Sequence, residues 1–188
     1  MVLDSLSEEG DSTEMRRLML LRHAKTERAE PGQRDRDRKL MKRGRADAPK
    51  LGVYMAHHDL VPDLALVSPA ARAQETWNLV ADAFGKLPRT QADDRIYNAN
   101  PHKLLQIVAE PRKAGKLLIV GHNPSLHEFA LQLIASGDVN TREQLREKLP
   151  TSGLVVMDLP IDDWPQLRAH SARLERFVTP RLIAAATE

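Results

Sequence analysis

The sequence predicts an α/β fold, a three-layer α/β/α sandwich with a mostly parallel central sheet. Three short apolar runs, 18–21, 64–67 and 117–120, are each bounded by polar residues or glycine, which is typical of buried parallel strands. Helical patterns alternate with these runs, and such alternation predicts helices on both faces of the sheet. The 188 residues are enough for one well-buried domain. We therefore expect a single domain over residues 15–188, preceded by a disordered polar and acidic tail over residues 1–14.

The remaining elements are predicted from helix-opening prolines, amphipathic spacing and alternation of polar and apolar positions. In chain order they are a loop over Lys25–Lys39, helices over Met41–Met55 and Arg72–Val80, an extended segment over Pro88–Tyr97, helices over Pro101–Glu110, Pro124–Ser136 and Thr141–Lys148, and strands over Leu154–Leu159 and Leu167–Phe177. Met41 stands where a capping side chain is expected, so the start of the first helix lacks its usual N-cap.

Composition narrows the function classes. The net charge of +2, from 28 basic and 26 acidic side chains, gives no reason to expect nucleic-acid binding. The chain has no cysteine, which excludes disulfides, thiolate catalysis and cysteine-ligated metal sites. It contains neither a membrane-length apolar stretch nor a signal-peptide pattern, so we expect no membrane association and a cytoplasmic location.

Two histidines each follow an apolar run directly, His23 after Arg22 and His122 after Gly121. Because ligands bind beyond the carboxyl ends of parallel strands, we expect both imidazoles at one edge of the sheet. Arg72 lies in the first turn of a predicted helix, where free backbone N–H groups and the helix dipole favour anions. Guanidinium forks match phosphate oxygens, and imidazoles serve as nucleophile, acid or base. The ligand is therefore expected to carry a phosphoryl group.

These motifs resemble those of the histidine phosphatase superfamily, the phosphoglycerate mutase-like proteins, and are most similar to its SixA-type phosphohistidine phosphatases. The resemblance is carried by Leu21–Lys25, Ser68–Thr76 and Val120–Pro124, with weaker matches at 40–44, 96–99 and 150–153. It implies a phosphatase that works without a metal or other cofactor on a phosphorylated substrate. It also implies the fold that the strand and helix patterns predict.

The charges around His23 predict its role. Flanking by Arg22 and Arg72 disfavours the imidazolium form, so a neutral His23 is expected to attack phosphorus and form a phosphohistidine intermediate. Arg22, Arg72 and His122 are expected to hold the charge on the transferring group, so that no metal is needed. Lys25, Ser68 and Asn123 are further candidates for binding phosphate or substrate, or for supporting the residues that do.

The predicted substrate depends on the proton donor. Where the phosphomonoesterase and mutase branches typically carry a glutamate, this chain has Asn98. An alkoxide leaves poorly without a general acid, whereas a protonated imidazole leaves readily, so a phosphohistidine-bearing protein is the favoured substrate. Asp93 or Asp94, in the same segment, is the alternative proton donor. A small-molecule phosphomonoesterase and a non-catalytic phosphate-binding protein of the same fold remain the alternative functions.

The alternating charges at 34–39 admit two interpretations. Mixed charges in a loop usually face water, and a solvated loop is the simpler expectation. A rim that orients the substrate beside the site is the other.

Overall fold

The computed structural model describes residues 15–110 and 112–186, so the predicted tail over residues 1–14 lies outside it. The strands are β1 (Met15–Arg22), β2 (Leu64–Val67), β3 (Arg89–Ala92), β4 (Lys116–Gly121), β5 (Ile134–Gly137), β6 (Leu154–Pro160) and β7 (Ala172–Val178). The helices are α1 (Lys42–His57), α2 (Ala71–Ala81), α3 (Pro101–Val108), α4 (Ser125–Leu133), α5 (Val139–Glu147) and α6 (Pro180–Ala185). Short 3₁₀ turns occupy Asp35–Asp37, Asp94–Ile96 and Trp164–Gln166.

All seven strands form one sheet in the order β3-β2-β4-β1-β6-β7-β5. The pairs β2–β3, β2–β4, β1–β4 and β5–β7 are parallel, whereas β6 is antiparallel to both β1 and β7. The predicted mostly parallel sheet is therefore confirmed. Its parallel half contains the three apolar runs, and their carboxyl ends lie at a common edge.

Side chains of β1 alternate between two buried clusters, one on each face of the sheet. Leu18 and Leu20 pack into the cluster that α3, α4 and Leu145 of α5 cover, whereas Met19 and Leu21 pack into the one that α1, α2 and α6 cover. All four β1 side chains are fully buried. A strand buried on both faces must be apolar at successive positions, which explains the uninterrupted run at 18–21. The α/β/α layering is confirmed.

Two predicted elements were wrong in their extent, and both lie at the edge of the sheet remote from β3. The helix predicted over Pro124–Ser136 ends at Leu133, because the next four residues form β5 and pair with β7. The strand predicted from Leu167 begins only at Ala172, since a turn with His170 at a φ of 54° precedes it. Strand pairing with distant residues decides both boundaries, and local propensity does not contain it.

The start of α1 has no side-chain cap, as the sequence predicts from Met41. The helix is instead held by a close approach at Gly44. A Cβ atom there would lie 2.3 Å from the backbone oxygen of Lys25, so only glycine lets α1 pack this tightly against the segment after His23. The helix α6, which covers the apolar groups beside α1, was not predicted. No helix in the described part of the chain is long and apolar enough to cross a membrane.

Candidate active site

Three neighbouring strands end together and place the candidate residues side by side. Arg22 pairs with Gly121 across β1 and β4, and the His23 amide donates to the Gly121 carbonyl at 3.1 Å. On the other side of β4, the Ser68 amide donates to the Val120 carbonyl at 2.9 Å. The convergence predicted from the strand ends is thus present in the structure.

The two imidazoles face each other in a buried site. The ring centroids of His23 and His122 are 5.3 Å apart, and each residue is 8 % exposed. Nδ1 of His23 lies 2.8 Å from the Ala24 carbonyl oxygen, and a carbonyl only accepts, so Nδ1 carries the hydrogen and donates it. Nε2 of His23 is therefore left with a lone pair.

The electrostatics keep His23 uncharged. Burial, and after it the positive charges of Arg72 and Arg22, lower its pKa to about 4. The sequence suggested the arginines as the cause, but removal from water is the larger one. At neutral pH the ring is therefore neutral, which is the form in which an imidazole nitrogen is nucleophilic.

His122 is also uncharged. Burial and the neighbouring His23 lower its pKa to about 3. Its Nε2 lies 2.7 Å from Oγ of Ser68, whereas its Nδ1 is buried and has no hydrogen-bond partner among the described residues. Ser68 thereby fixes the ring orientation, and the second nitrogen is left available to another polar group.

Arg22 and Asn123 are joined through one backbone oxygen. The Leu149 carbonyl accepts from NH1 of Arg22 and from Nδ2 of Asn123, both at 2.9 Å. Nε of Arg22 and Oδ1 of Asn123 are buried and lack partners in the described part of the chain. The shared carbonyl therefore holds both side chains in place, and each has one buried polar atom available to a bound ligand.

Arg72, at the second position of α2, is linked by Thr76 to Ala24, the residue that follows His23. The Thr76 hydroxyl donates to the Arg72 carbonyl at 2.6 Å and accepts from the Ala24 amide at 2.9 Å. This buried hydroxyl connects the first turn of α2 to the segment that follows β1. It fixes the position of the arginine relative to the histidine.

The sequence interpretation missed Asp35 and Tyr97. NH1 and NH2 of Arg72 donate to the backbone oxygen and to Oδ2 of Asp35, at 2.7 and 2.9 Å. The Tyr97 hydroxyl donates to the same Oδ2 at 2.8 Å, and the Tyr97 ring meets His122 edge-on at 5.7 Å. Asp35 belongs to the alternating-charge loop, whose pattern does not distinguish this carboxylate from Asp37.

The other candidates lie further out. Lys25 is exposed and lines a groove next to Arg22. Asp93 is buried, but Arg95 binds its carboxylate at 2.7 Å and holds its pKa below the usual range. Asp94 is exposed and lies 3.5 Å from Arg36. Among the described residues neither aspartate is hydrogen-bonded to His23 or His122, so both are poorly placed as proton donors.

The site can be compared with known proteins at this point. The sequence profile of the Histidine phosphatase superfamily (branch 1) matches residues 18–100, which include Arg22, His23 and Arg72. A solved structure, the candidate phosphohistidine phosphatase SixA from Agrobacterium tumefaciens, is 33 % identical with a TM-score of 0.75 and covers 88 % of this chain and 98 % of its own. The chain belongs to the histidine phosphatase superfamily. Within that superfamily it is of the SixA type.

The chain is also similar to other proteins over most of its length. A SixA structure from Nakamurella multipartitia is 26 % identical with a TM-score of 0.78, and covers 90 % of this chain and 99 % of its own. An uncharacterized protein of Mycobacterium leprae is 32 % identical over 149 residues, which are 78 % of this chain and 89 % of that protein. Membership of a phosphatase superfamily is thereby established. The substrate has to be inferred from the chemistry of the site.

Proposed function

We propose that this protein is a phosphohistidine phosphatase that acts through a covalent phosphohistidine on His23. One observation carries the proposal. Nε2 of His23 is an uncharged nitrogen with a free lone pair in a buried site, where the charges of Arg72 and Arg22 act on it and a second neutral histidine lies beside it. A neutral imidazole held in this way is suited to in-line attack on phosphorus.

In the first step, the Nε2 lone pair forms a bond to phosphorus while the bond to the leaving group breaks. Arg22, Arg72 and His122 surround the histidine and supply donors for the phosphoryl oxygens. In the second step, water attacks the phosphorus of phospho-His23, releases inorganic phosphate and returns the electron pair to Nε2. The two fixed guanidinium charges take the part that a metal ion has in other phosphoryl-transfer sites, so we propose that the reaction is metal-independent.

The preference for a nitrogen leaving group is supported by the surroundings of the site. Asn98 is exposed, and the carboxylates of Asp93 and Asp94 are directed at arginines. An alkoxide would therefore leave without an evident acid, whereas an imidazole protonated on its other nitrogen leaves as a neutral ring.

A protein substrate is supported by the surface next to the site. A groove of about 960 Å³ opens beside Arg22 and continues along Lys25, Lys148 and Arg181. Basic side chains outnumber acidic ones along it, which suits an acidic protein surface that presents the phosphorylated histidine.

The test is a side-by-side turnover assay in excess chelator. A protein phosphorylated on histidine and phosphoramidate are compared with p-nitrophenyl phosphate and a panel of sugar phosphates. We expect kcat/KM for the P–N compounds to exceed that for the monoesters by about tenfold or more. Faster monoester cleavage would indicate a small-molecule phosphatase, and oxyanion binding without turnover would indicate a binding protein.

A labelling experiment tests the intermediate separately. With a ³²P-labelled protein substrate and rapid quenching in alkali, wild type should carry an acid-labile label that His23→Ala lacks. His102→Ala, on the exposed side of α3, is the matched control and should label like wild type. An equal label on His23→Ala would place the intermediate elsewhere.

A further inference from the structure

Asp35 lies against Arg72 as part of the site wall. The loop between β1 and α1 folds back so that Arg72 donates to both the backbone oxygen and Oδ2 of this residue. Tyr97 also donates to Oδ2, and NH1 of Arg38 donates to Oδ1 at 3.0 Å. Arg38 in turn donates to Thr26 and to the Glu27 backbone, which fixes the loop to the segment after His23. The carboxylate is therefore held in a defined position.

The carboxylate is ionised and lies on the outer side of Arg72. Its pKa is lowered to about 2, first by the Tyr97 hydroxyl and also by the two arginines that it accepts from. Its side chain is 52 % exposed, whereas that of Arg72 is 8 % exposed. Asp35 thus places a fixed negative charge at the exposed side of Arg72, near enough to His122 to act against the lowering of its pKa.

Phosphate binding does not require this carboxylate to leave. A guanidinium has five N–H donors, and Asp35 engages one hydrogen on each terminal nitrogen. The remaining N–H groups of Arg72, one of which also approaches the Tyr97 hydroxyl, can donate to a phosphoryl group. In a displacement at phosphorus the leaving group departs opposite the nucleophile. Because His23 is buried whereas Asp35 is half exposed, we infer that it departs toward the exposed side of the site, on which Asp35 lies.

We propose that Asp35 is a specificity-determining residue that selects phosphoryl groups carried on a protonated nitrogen and disfavours those carried on oxygen. The inference rests on the proposed function and specifies how the site distinguishes its substrate. A phosphohistidine ring protonated on its free nitrogen carries positive charge, which the carboxylate attracts. As the P–N bond breaks, its electron pair goes to the ring nitrogen and neutral imidazole leaves, with no proton transfer.

An ester behaves in the opposite way. Its P–O bond places the electron pair on oxygen, and the resulting negative charge is repelled by the carboxylate, which has no proton to give. The effect should be sizeable, because a unit charge a few ångströms away near a protein surface changes an equilibrium by about tenfold or more. Asp35 therefore favours cleavage of P–N bonds to a protonated nitrogen and disfavours cleavage of P–O bonds.

The test compares Asp35→Asn with wild type on phosphoramidate and on p-nitrophenyl phosphate. The substitution removes the charge but keeps the shape and an acceptor oxygen. We expect kcat/KM for phosphoramidate to fall about tenfold, while kcat/KM for the ester is unchanged or rises. Asp35→Glu restores the charge and should restore the preference for P–N bonds even where absolute rates are lower. Asp37→Asn, in the same turn but bonded to Arg34, should match wild type.

The outcomes separate this inference from the proposed function. If wild type cleaves phosphoramidate and both substrates slow equally in Asp35→Asn, then Asp35 only orients Arg72 and the selectivity role is overturned. An unchanged ratio with unchanged rates overturns it as well. If wild type cleaves esters alone, the proposed function fails and takes the inference with it. Thermal unfolding of each variant confirms that the compared proteins are folded.

Discussion

Acid should destabilise this protein through His23, and the size of the effect follows from the site. The ring has a pKa of about 4 in the folded chain and an ordinary value of about 6.5 when unfolded. Between these two pH values the imidazole is protonated in the unfolded state but not in the folded state. The folded state therefore keeps its full stability with respect to this ring above about pH 6.5 and loses stability as the pH falls toward 4. Between pH 7.5 and pH 5.0 the loss from this one ring is about 2 kcal/mol.

The assay is urea unfolding at both pH values for wild type and His23→Gln. The variant lacks the buried ring, so it should lose about 2 kcal/mol less than wild type between pH 7.5 and pH 5.0. Carboxylates elsewhere contribute equally to both proteins and cancel in the difference. His102→Gln removes an exposed imidazole and should lose as much as wild type. The reasoning is refuted if His23→Gln shows the same pH dependence as wild type.

Three further predictions concern activity and packing. Activity should persist in excess EDTA, and a rate restored by added Mg²⁺ or Zn²⁺ would contradict the assignment of charge stabilisation to the arginines. The double variant Lys148→Glu, Arg181→Glu should raise KM about tenfold for a histidine-phosphorylated protein but leave KM for phosphoramidate unchanged. Lys86→Glu, away from the groove, should change neither KM value. Equal effects of the double variant on both substrates would argue against docking of the protein substrate in the groove. Thr76→Val leaves the Ala24 amide unpaired, so the free energy of unfolding should fall by about 1–3 kcal/mol and kcat should drop. Urea unfolding and turnover of phosphoramidate check this, and an unchanged stability would show that the hydroxyl is not needed.

Much of the site follows from local patterns. The placement of His23 and His122 at one edge depends only on which residues end each apolar run, because parallel neighbours in register bring their ends together. Arg72 follows in the same way from the run at 64–67 and the helix after it. The resemblance to a family added the expected order of chemical steps, yet the residue types and their spacing already indicated phosphate.

Other features are not contained in local patterns. The end of α4 at Leu133 is decided by the pairing of β5 with β7, whose residues lie far along the chain. The dominance of burial over the arginines in lowering the pKa of His23 depends on how completely the layers exclude water. Neither the end of α4 nor the degree of burial of His23 corresponds to a periodicity or a motif in the sequence.

The sequence by itself determined the α/β class and the superfamily. It also predicted that His23, Arg22, Arg72 and His122 lie together, because each follows the end of an apolar run or begins the helix after one. Only the tertiary structure decided which charges of the loop at 34–39 matter. Asp35 meets Arg72 across 37 positions and Tyr97 across 62. The sequence pattern of alternating charges does not distinguish one aspartate of this loop from another. Only the folded chain shows which carboxylate lies within hydrogen-bond distance of a guanidinium.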